Sequence, residues 1–254
     1  MLIDTHAHLC DPVFDPDRSA VLRRATDAGI EAIIAVGENL SDAKRNLELA
    51  ENHPILKPAA GLSPAILDQA QAKEILDFIQ EKQGKLVAIG EVGLDHWVVK
   101  EESEKALQRQ IFKNFINLAK DLNLPVNVHS RSAGRETVAL LLECGASKVQ
   151  LHAFDSKASA AMPAVEAGYF FSIPPSVVRS RQKQKLVKQL PLSCLLAETD
   201  SPVLGPSADE RNEPANITIS IKAIAELKDI NEAAVIEAVT ENTQKLYGDT
   251  IFGV

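Results

Sequence analysis

The sequence predicts an α/β fold of the (β/α)8 barrel type, the TIM barrel. Short apolar or β-branched runs alternate with amphipathic helical patterns along the chain, as in parallel sheets covered by helices. Eight such pairs within 254 residues favour a closed barrel over an open doubly wound sheet. No long polar linker divides the pattern, so we expect a single domain over 1–254.

The predicted strands are short runs rich in Val, Ile, Leu and Ala. Glycine or proline marks several of the joins between elements, for example Gly29, Pro54, Gly84 and Pro125. The eight predicted strands are 1–6, 31–36, 56–60, 86–90, 125–129, 148–152, 168–172 and 194–198.

The helical patterns lie between these runs. The clearest spans 103–122, where five apolar residues are spaced to form one face: Leu107, Ile111, Phe115, Leu118 and Leu122. A last helix over 231–246 follows Asn231, a good N-cap residue, and should close or flank the barrel. The other predicted helices are 17–28, 41–52, 69–83, 133–143, 157–166, 180–189 and 215–228.

The charge balance limits the classes of function. A net charge of −8 disfavours a protein that coats nucleic acid through a broad basic surface. It does not exclude a nucleic-acid enzyme, because bound cations and a few arginines can supply positive potential locally.

The cysteines and the hydropathy indicate a compartment. Cys10, Cys144 and Cys194 are odd in number and widely spaced, which argues against a disulfide framework and fits a reducing environment. No apolar run reaches about 18 residues, and the chain starts in a predicted strand without the features of a secretory signal. We therefore expect a cytoplasmic protein, or alternatively a nuclear one, with no membrane contact.

Six side chains of metal-binding types lie at or just after the ends of the predicted strands. In a barrel these ends converge on one rim, where catalytic residues sit. His53 and His96 fall elsewhere, His53 in a polar loop and His96 near the presumed mouth, with substrate contact or a plain loop role equally open. The six converging residues are His6, His8, Glu91, His129, His152 and Asp200.

This ligand set is too rich for one tetrahedral ion, so we expect two divalent metal ions bridged by Glu91. One ion would bind His6, His8 and Asp200, and the other His129 and His152. Mixed imidazole and carboxylate ligands suit Zn, Mn, Ni or Co, and suit Mg less well. A water activated there, with Asp200 accepting its proton, would attack a phosphoryl or carbonyl centre. Asp200 and Glu91 are thus the candidate catalytic residues.

Seven segments, in the same order along nearly the whole chain, resemble the TatD deoxyribonucleases, which are metal-dependent barrel hydrolases related to the amidohydrolases. The segments over 127–135 and 170–176 look most like the eukaryotic subgroup named TatD DNase domain containing 3. The resemblance implies a DNA substrate, usually trimmed from 3′ to 5′, and the same metal ligands. The seven segments are Asp4-Thr5-His6-Ala7-His8-Leu9, Gly90-Glu91-Val92-Gly93-Leu94-Asp95, Val128-His129-Ser130-Arg131, Leu151-His152-Ala153-Phe154, Glu198-Thr199-Asp200-Ser201-Pro202, Arg211-Asn212-Glu213-Pro214 and Glu241-Asn242-Thr243.

One position departs from the family. The family usually carries Gly-x-His-Pro after strand 3, with the His facing the substrate, where this chain has Gly61-Leu62-Ser63-Pro64. We expect Ser63 to hold a phosphate less well than a His would. Arg131 and Arg211, which belong to the family segments, are the other expected substrate contacts, and we expect a monomer.

Other readings remain open. The same two-metal site could hydrolyse another bond, such as an aminoacyl-tRNA ester or a cyclic amide, or a binding protein could keep the metals without turnover. Trp97 could stack on a base, although packing in a loop over the barrel mouth is the favoured reading. The basic run from Arg181 to Lys188, which includes Lys183, reads as the solvated face of a helix without a role in the site.

Overall fold

Eight strands form one parallel sheet in chain order in this computed structural model, which describes residues 2–248 and residue 251. The strands are β1 (Leu2–Ala7), β2 (Ile30–Ala35), β3 (Leu56–Ala60), β4 (Ala88–Gly93), β5 (Val126–His129), β6 (Val149–Leu151), β7 (Phe170–Ile173) and β8 (Leu195–Ala197). The last strand lies against the first. The Asp200 N–H donates to the His6 carbonyl at 2.8 Å, and the His8 N–H donates to the Ser201 carbonyl at 2.7 Å. The predicted (β/α)8 barrel is confirmed.

A helix follows every strand, and a further helix follows the last pair. The nine α-helices of the described residues are α1 (Arg18–Asp27), α2 (Leu40–Asn52), α3 (Gln69–Lys82), α4 (Glu102–Asp121), α5 (Gly134–Glu143), α6 (Ala158–Glu166), α7 (Arg181–Gln189), α8 (Ile217–Lys228) and α9 (Glu232–Tyr247). The Asn231 side chain caps α9 by accepting from the Ala234 N–H at 2.8 Å, as predicted. In α4, Ile111 and Phe115 of the predicted apolar face are buried in the core.

Two strands extend beyond their predicted ends. β1 continues to Ala7 and β4 to Gly93, so His6 lies inside its strand rather than at its end, and Glu91 lies inside its strand rather than after it. Each strand continues past its apolar residues because polar side chains can also be buried inside the barrel when they form hydrogen bonds with one another. The β4–β5 pairing, with Val92 opposite Val128, therefore continues into the candidate site.

A small apolar cluster fills the barrel on the side away from the strand ends. It joins Ile3 of β1, Ile34 of β2 and Leu196 of β8 to Leu246 and Tyr247 at the end of α9. Side chains from these strands can meet only inside the closed sheet, so the last turn of α9 closes this end of the barrel. Among the described helices, none combines the length and apolar character that crossing a bilayer requires.

Candidate metal centre

Four ligand atoms from the carboxyl end of β1 and the residue after it, from β4 and from the segment after β8 converge on one point. The His6 and His8 Nε2 atoms are 3.2 Å apart. Both lie 3.4 Å from Oδ1 of Asp200, and they lie 3.5 Å and 3.3 Å from Oε2 of Glu91. Ligands held about 2.0–2.1 Å from a tetrahedral metal are separated from each other by about 3.3–3.4 Å. The spacing of these atoms is therefore that of a tetrahedral cation site.

A second group of ligand atoms meets the other oxygen of the same glutamate. Nδ1 of His129 lies 2.5 Å, and Nε2 of His152 lies 3.1 Å, from Oε1 of Glu91. The two ring nitrogens are 3.2 Å apart. Glu91 thus presents Oε2 to His6 and His8, and Oε1 to the histidines at the ends of β5 and β6.

The donor chemistry fits divalent cations. Neutral imidazole has only one N–H, so facing ring nitrogens cannot all be satisfied by hydrogen bonds to one another. Imidazole nitrogen and carboxylate oxygen together are ligands that Zn, Mn, Ni and Co accept. His6, Glu91, His152 and Asp200 are also buried, with His6 at 0% and the other three at 4–5% exposed. The described residues therefore form a site that cations would complete.

Two partners fix which nitrogen of His6 and which nitrogen of His129 face the centre. Nδ1 of His6 lies 2.8 Å from Oδ1 of Asn127, which can only accept, so His6 donates there and keeps Nε2 free for a metal. The Asn127 amide in turn donates to the Thr5 carbonyl at 2.9 Å. On the other side, Nε2 of His129 donates to Oδ2 of Asp95 at 3.0 Å, which leaves Nδ1 for the centre.

Glycines let β4 approach its neighbours closely enough to place Glu91. A Cβ atom at Gly90 would lie 2.6 Å from Cβ of Asn127, and one at Gly93 would lie 2.0 Å from the His129 carbonyl oxygen. Gly93 also has a φ of +151°, which L side chains rarely adopt. The prediction that the flanking glycines allow Glu91 to turn inward agrees with this packing.

The segment after β8 holds Asp200 in a strained but supported conformation. Asp200 has a φ of +54°, which costs free energy for a residue other than glycine. The preceding Thr199 is anchored by Asp4, whose carboxylate accepts from the Thr199 N–H at 2.9 Å and from its hydroxyl at 2.5 Å. Burial raises the pKa of Asp4 to about 7. The surrounding bonds thus fix the direction in which Asp200 points.

Burial and opposite charges act against each other on the ionisable groups of the centre. Burial opposes the charge of Asp200, but hydrogen bonds from His6 and His8 hold the pKa of its carboxyl below the usual range. Burial likewise opposes the charge of His129, yet Glu91 and Asp95 raise its pKa to about 10. Burial and the proximity of His6 lower the pKa of His152 to about 4. The neutral His152 is thus ready to act as a ligand.

A cavity of about 390 Å³ opens over these groups at the carboxyl ends of the strands. Its four carboxylates would repel an anionic substrate in the absence of bound cations. Its lining includes His8, Glu38, Glu91, His129, Ser130, Arg131, His152, Ala153, Asp155, Lys183, Asp200, Val203 and Leu204.

The structure brings only one of the three expected substrate contacts to this cavity. Arg131 lines it, whereas Ser63 does not, and the Ser63 N–H donates to the Glu38 carbonyl at 2.8 Å. Arg211 is held elsewhere: its two terminal nitrogens donate to the Asp17 carboxylate at 2.8 and 2.7 Å, and the guanidinium carbon lies 4.9 Å from the ring centre of Phe14. The positive charge of Arg211, which was expected to contact a substrate phosphate, is thus paired with the Asp17 carboxylate.

Sequence reasoning missed four residues of the site. Asp95 lies in a family segment, but its position there does not reveal a role. Asn127 is a polar residue in an apolar strand, which is a usable signal of a buried partner. Glu38 gave no signal. Lys183 was read as solvated, but it is buried and lines the cavity, and its Nζ donates to the Ala153 carbonyl at 2.7 Å. A basic run on a helix cannot show which of its lysines turns inward.

Comparisons with known proteins agree with this geometry. Residues 3–248 match the family described as TatD related DNase. The human protein Deoxyribonuclease TATDN3 is 49% identical over 97% of this chain and 94% of its own length, and the Bacillus subtilis metal-dependent hydrolase YabD is 35% identical over 97% and 99%. The crystal structure of YjjV, a TatD homologue from Escherichia coli, has a TM-score of 0.89 at 28% identity and covers 97% of both chains. The chain belongs to the TatD family of DNase-related proteins.

Proposed function

We propose that this protein is a divalent-metal-dependent deoxyribonuclease that hydrolyses DNA phosphodiester bonds with two metal ions. The observation that carries the proposal is the arrangement of Glu91, whose two carboxylate oxygens face two separate groups of histidines. A carboxylate placed in this way would hold two ions as neighbours, which is the arrangement that two-metal hydrolytic sites need. A relative at 49% identity bears the name deoxyribonuclease, which supports DNA as the substrate.

The residues divide into two ligand groups. His6, His8 and Asp200 would hold one ion, and His129 and His152 the other, with Glu91 shared between them. When bound, divalent ions would supply Lewis acidity, withdrawing charge from phosphoryl oxygens and lowering the pKa of a water molecule. Zn, Mn, Ni, Co and Mg are the candidate ions, and the imidazole ligands favour the first four.

Asp200 is the proposed proton acceptor. Its Oδ1 faces His6 and His8, and its buried carboxyl remains ionised at neutral pH, because these two histidines hold its pKa below the usual range. An ionised carboxylate beside the attacking water can take the proton that the water loses. The strained conformation of Asp200, fixed through Thr199 and Asp4, directs the carboxylate into the cavity.

Two cationic side chains would hold the substrate phosphates. Arg131 lines the cavity and is exposed, so it can approach a flanking phosphate. Lys183 is buried in the wall, and an ammonium group that donates one bond to Ala153 has two further N–H groups to offer. These groups offset the Glu38 and Asp155 carboxylates on the same lining.

The finer points of the function are also proposals. We propose removal of nucleotides from the 3′ end of a single strand or of a duplex end, a monomeric state, and a cytoplasmic or nuclear location. Contributions of Ser63 and Arg211 to substrate binding stay predictions, and their contacts in the structure favour Arg131 over both.

The test is metal-dependent release of nucleotides from a single-stranded oligonucleotide labelled at one end. The protein, stripped of metal and then given each candidate ion in turn, should shorten the strand, and EDTA should abolish the activity. A 5′ label should give a ladder of shortened strands, whereas a 3′ label should appear at once as mononucleotide.

The matched variant is Asp200→Asn. It should keep much of the bound metal and lose turnover by roughly 10²-fold or more, the usual scale for removal of a general base. Near-normal turnover with metal bound would show that the base lies elsewhere. If no strand is cleaved with any ion while an aminoacyl ester or a cyclic amide is, the protein is a hydrolase of another bond.

A further inference from the structure

Trp97 lies on the surface beside the cavity rather than inside the loop that carries it. It is the only tryptophan in the chain, and 59% of it is exposed, the largest exposed fraction among the described large apolar residues. The expectation that it packs over the barrel mouth is therefore wrong. The neighbouring Val98 is 54% exposed, so two large apolar side chains of this loop lie in water beside the cavity.

The loop that presents Trp97 is fixed to the metal centre through one carboxylate. Oδ1 of Asp95 accepts from the N–H groups of Trp97 at 2.8 Å and Val98 at 3.0 Å. Oδ2 of the same residue accepts from Nε2 of His129. A second bond joins the loop to the next one, because the His96 N–H donates to the Arg131 carbonyl at 2.9 Å. The indole is thus held at a defined place relative to the hydrolytic groups.

Two cations lie against the ring. The guanidinium carbon of Arg131 is 5.1 Å, and Nζ of Lys100 is 5.2 Å, from the ring centre of Trp97. Arg131 also lines the cavity, so the aromatic surface continues directly from the wall of the site. Lys100 is exposed, and the bond that its Nζ donates to the His96 carbonyl at 2.9 Å is one that water can replace when another group stacks on the ring.

This combination suits one part of a nucleic acid strand. Phosphates occur at every nucleotide, and bases alternate with them, so a cation beside an exposed aromatic face matches a phosphate and its neighbouring base. An acidic peptide would use the cations but would gain little from the indole. We propose that Trp97 is a stacking platform for an unpaired nucleobase next to the scissile phosphate, with Arg131 contacting the adjoining phosphate.

The platform would make the enzyme selective for unpaired strands. Both faces of a base inside a duplex are already stacked on neighbouring bases, so only a single strand or a frayed end can place a base on Trp97. This inference rests on the proposed nuclease function and identifies which form of DNA that site prefers.

Fluorescence gives a test that does not depend on turnover. Because Trp97 is the only tryptophan, its emission reports on this position alone. The metal-loaded protein is titrated with a single-stranded phosphorothioate oligonucleotide, which resists hydrolysis, and with a strand of the same length whose sugars carry no bases. Base stacking should quench the emission with the first strand and leave it nearly unchanged with the second. Equal changes with both strands, or no change although fluorescence anisotropy of a labelled strand shows binding, would overturn the proposal.

Kinetics separates the platform from the hydrolytic function itself. Trp97→Ala should raise KM for single-stranded DNA roughly tenfold without a matching loss of kcat, in line with the contribution of one stacked base, and Trp97→Phe should restore most of the affinity. Val98→Ala, a change at the neighbouring exposed residue, is the control and should leave KM unaltered.

The base-free strand distinguishes the two ways of failing. Its hydrolysis should be equal for the unaltered protein and Trp97→Ala. If the unaltered protein cleaves neither strand with any ion, the proposed function fails. If it cleaves both and Trp97→Ala cleaves normal DNA with unaltered KM, only the stacking platform fails.

Discussion

The floor and the mouth of the cavity are built differently. On the floor, His6, Glu91 and Asp200 are 0–5% exposed and come from opposite sides of the closed sheet. At the mouth, Trp97 and Val203 are more than half exposed and lie on loops. The floor is fixed by the strand pairing of the whole barrel, whereas the mouth depends on a few bonds such as those of Asp95.

This difference separates two tasks. Ligand atoms must be placed to within a few tenths of an ångström to bind a cation, and a closed sheet with buried partners such as Asn127 can hold them so. Recognition of a strand tolerates looser placement, and loops can change without disturbing the sheet. We therefore expect substitutions on the floor to abolish the reaction and substitutions at the mouth to change only the preference among substrates.

The largest effect should come from Glu91→Gln. The amide keeps the size of the side chain but removes the charge shared by both ligand groups, so both ions should bind more weakly. We expect kcat/KM on single-stranded DNA to fall about 10³-fold or more, the equivalent of about 4 kcal/mol of transition-state stabilisation. Metal content after dialysis, measured by inductively coupled plasma mass spectrometry, should fall for both sites.

The matched comparison is Glu38→Gln, which changes a carboxylate that lies near His8 and Glu91 on the same cavity but, unlike Glu91, is exposed and is not shared by the two histidine groups. A loss of less than tenfold is expected there. If kcat/KM fell equally in the two variants, a buried carboxylate on the floor would matter no more for the reaction than an exposed one.

A smaller effect should follow Asp95→Asn, because Asp95 acts on the floor of the cavity only through its hydrogen bond with His129. The amide can still accept from the Trp97 N–H through Oδ1, but its NH2 group would now donate to Nε2 of His129. That bond favours the tautomer with hydrogen on Nδ1, the atom that should bind the metal. We expect the affinity of the second ion to fall about 10- to 100-fold, as measured by calorimetry.

Asp155→Asn tests whether any carboxylate of the wall has this effect. Asp155 accepts from the Ser132 N–H and does not touch His129, so metal affinity should be nearly unaltered. A loss as large as that of Asp95→Asn would point to the overall charge of the cavity rather than to the His129 tautomer.

The floor was largely predictable from the sequence, and the mouth was not. His129 and His152 were located because strand ends in a barrel converge whatever the loops do. Arg211 lies outside the cavity lining, and a sequence pattern cannot show that it pairs with Asp17, which is remote along the chain. Lys183 was missed because helical periodicity does not reveal which residue of a polar helix faces a cavity. Glu91 was found, although its strand extends further than the apolar run suggested.

Acidity should weaken metal binding on the floor. The carboxylates around them raise the pKa of His8 to about 9 and of His129 to about 10 despite burial, so both imidazoles are protonated at neutral pH before metal binds. A metal must displace these protons, and its apparent affinity should rise by up to about tenfold per pH unit per proton between roughly pH 6.5 and 9. Calorimetry in buffers of different ionisation enthalpy would count the protons released.

The stability of the metal-free protein should show the opposite trend. The pKa of each of these two histidines is higher in the folded protein than in the unfolded chain. Their contribution to the free energy of unfolding is therefore fully present below about pH 6.5 and is lost as the pH rises to about 9–10. The Tm of the metal-free protein should fall over this range, and saturating metal should remove the trend. No proton release and a flat Tm would contradict this account.

The smallest effects should separate two arginines at the mouth. Arg131 lines the cavity beside Trp97, so Arg131→Ala should raise KM for single-stranded DNA about fivefold, equivalent to about 1 kcal/mol, and should reduce the salt dependence of binding by about one phosphate contact. Arg211 is paired with Asp17, so Arg211→Ala should leave KM within about twofold and cost about 1 kcal/mol or less of stability, because a partly exposed ion pair contributes little. Steady-state kinetics at several salt concentrations, with Tm for each variant, measures both. The reverse result, with KM raised by Arg211→Ala and not by Arg131→Ala, would mean that the strand crosses the mouth on the side of Asp17 and Phe14, away from Trp97.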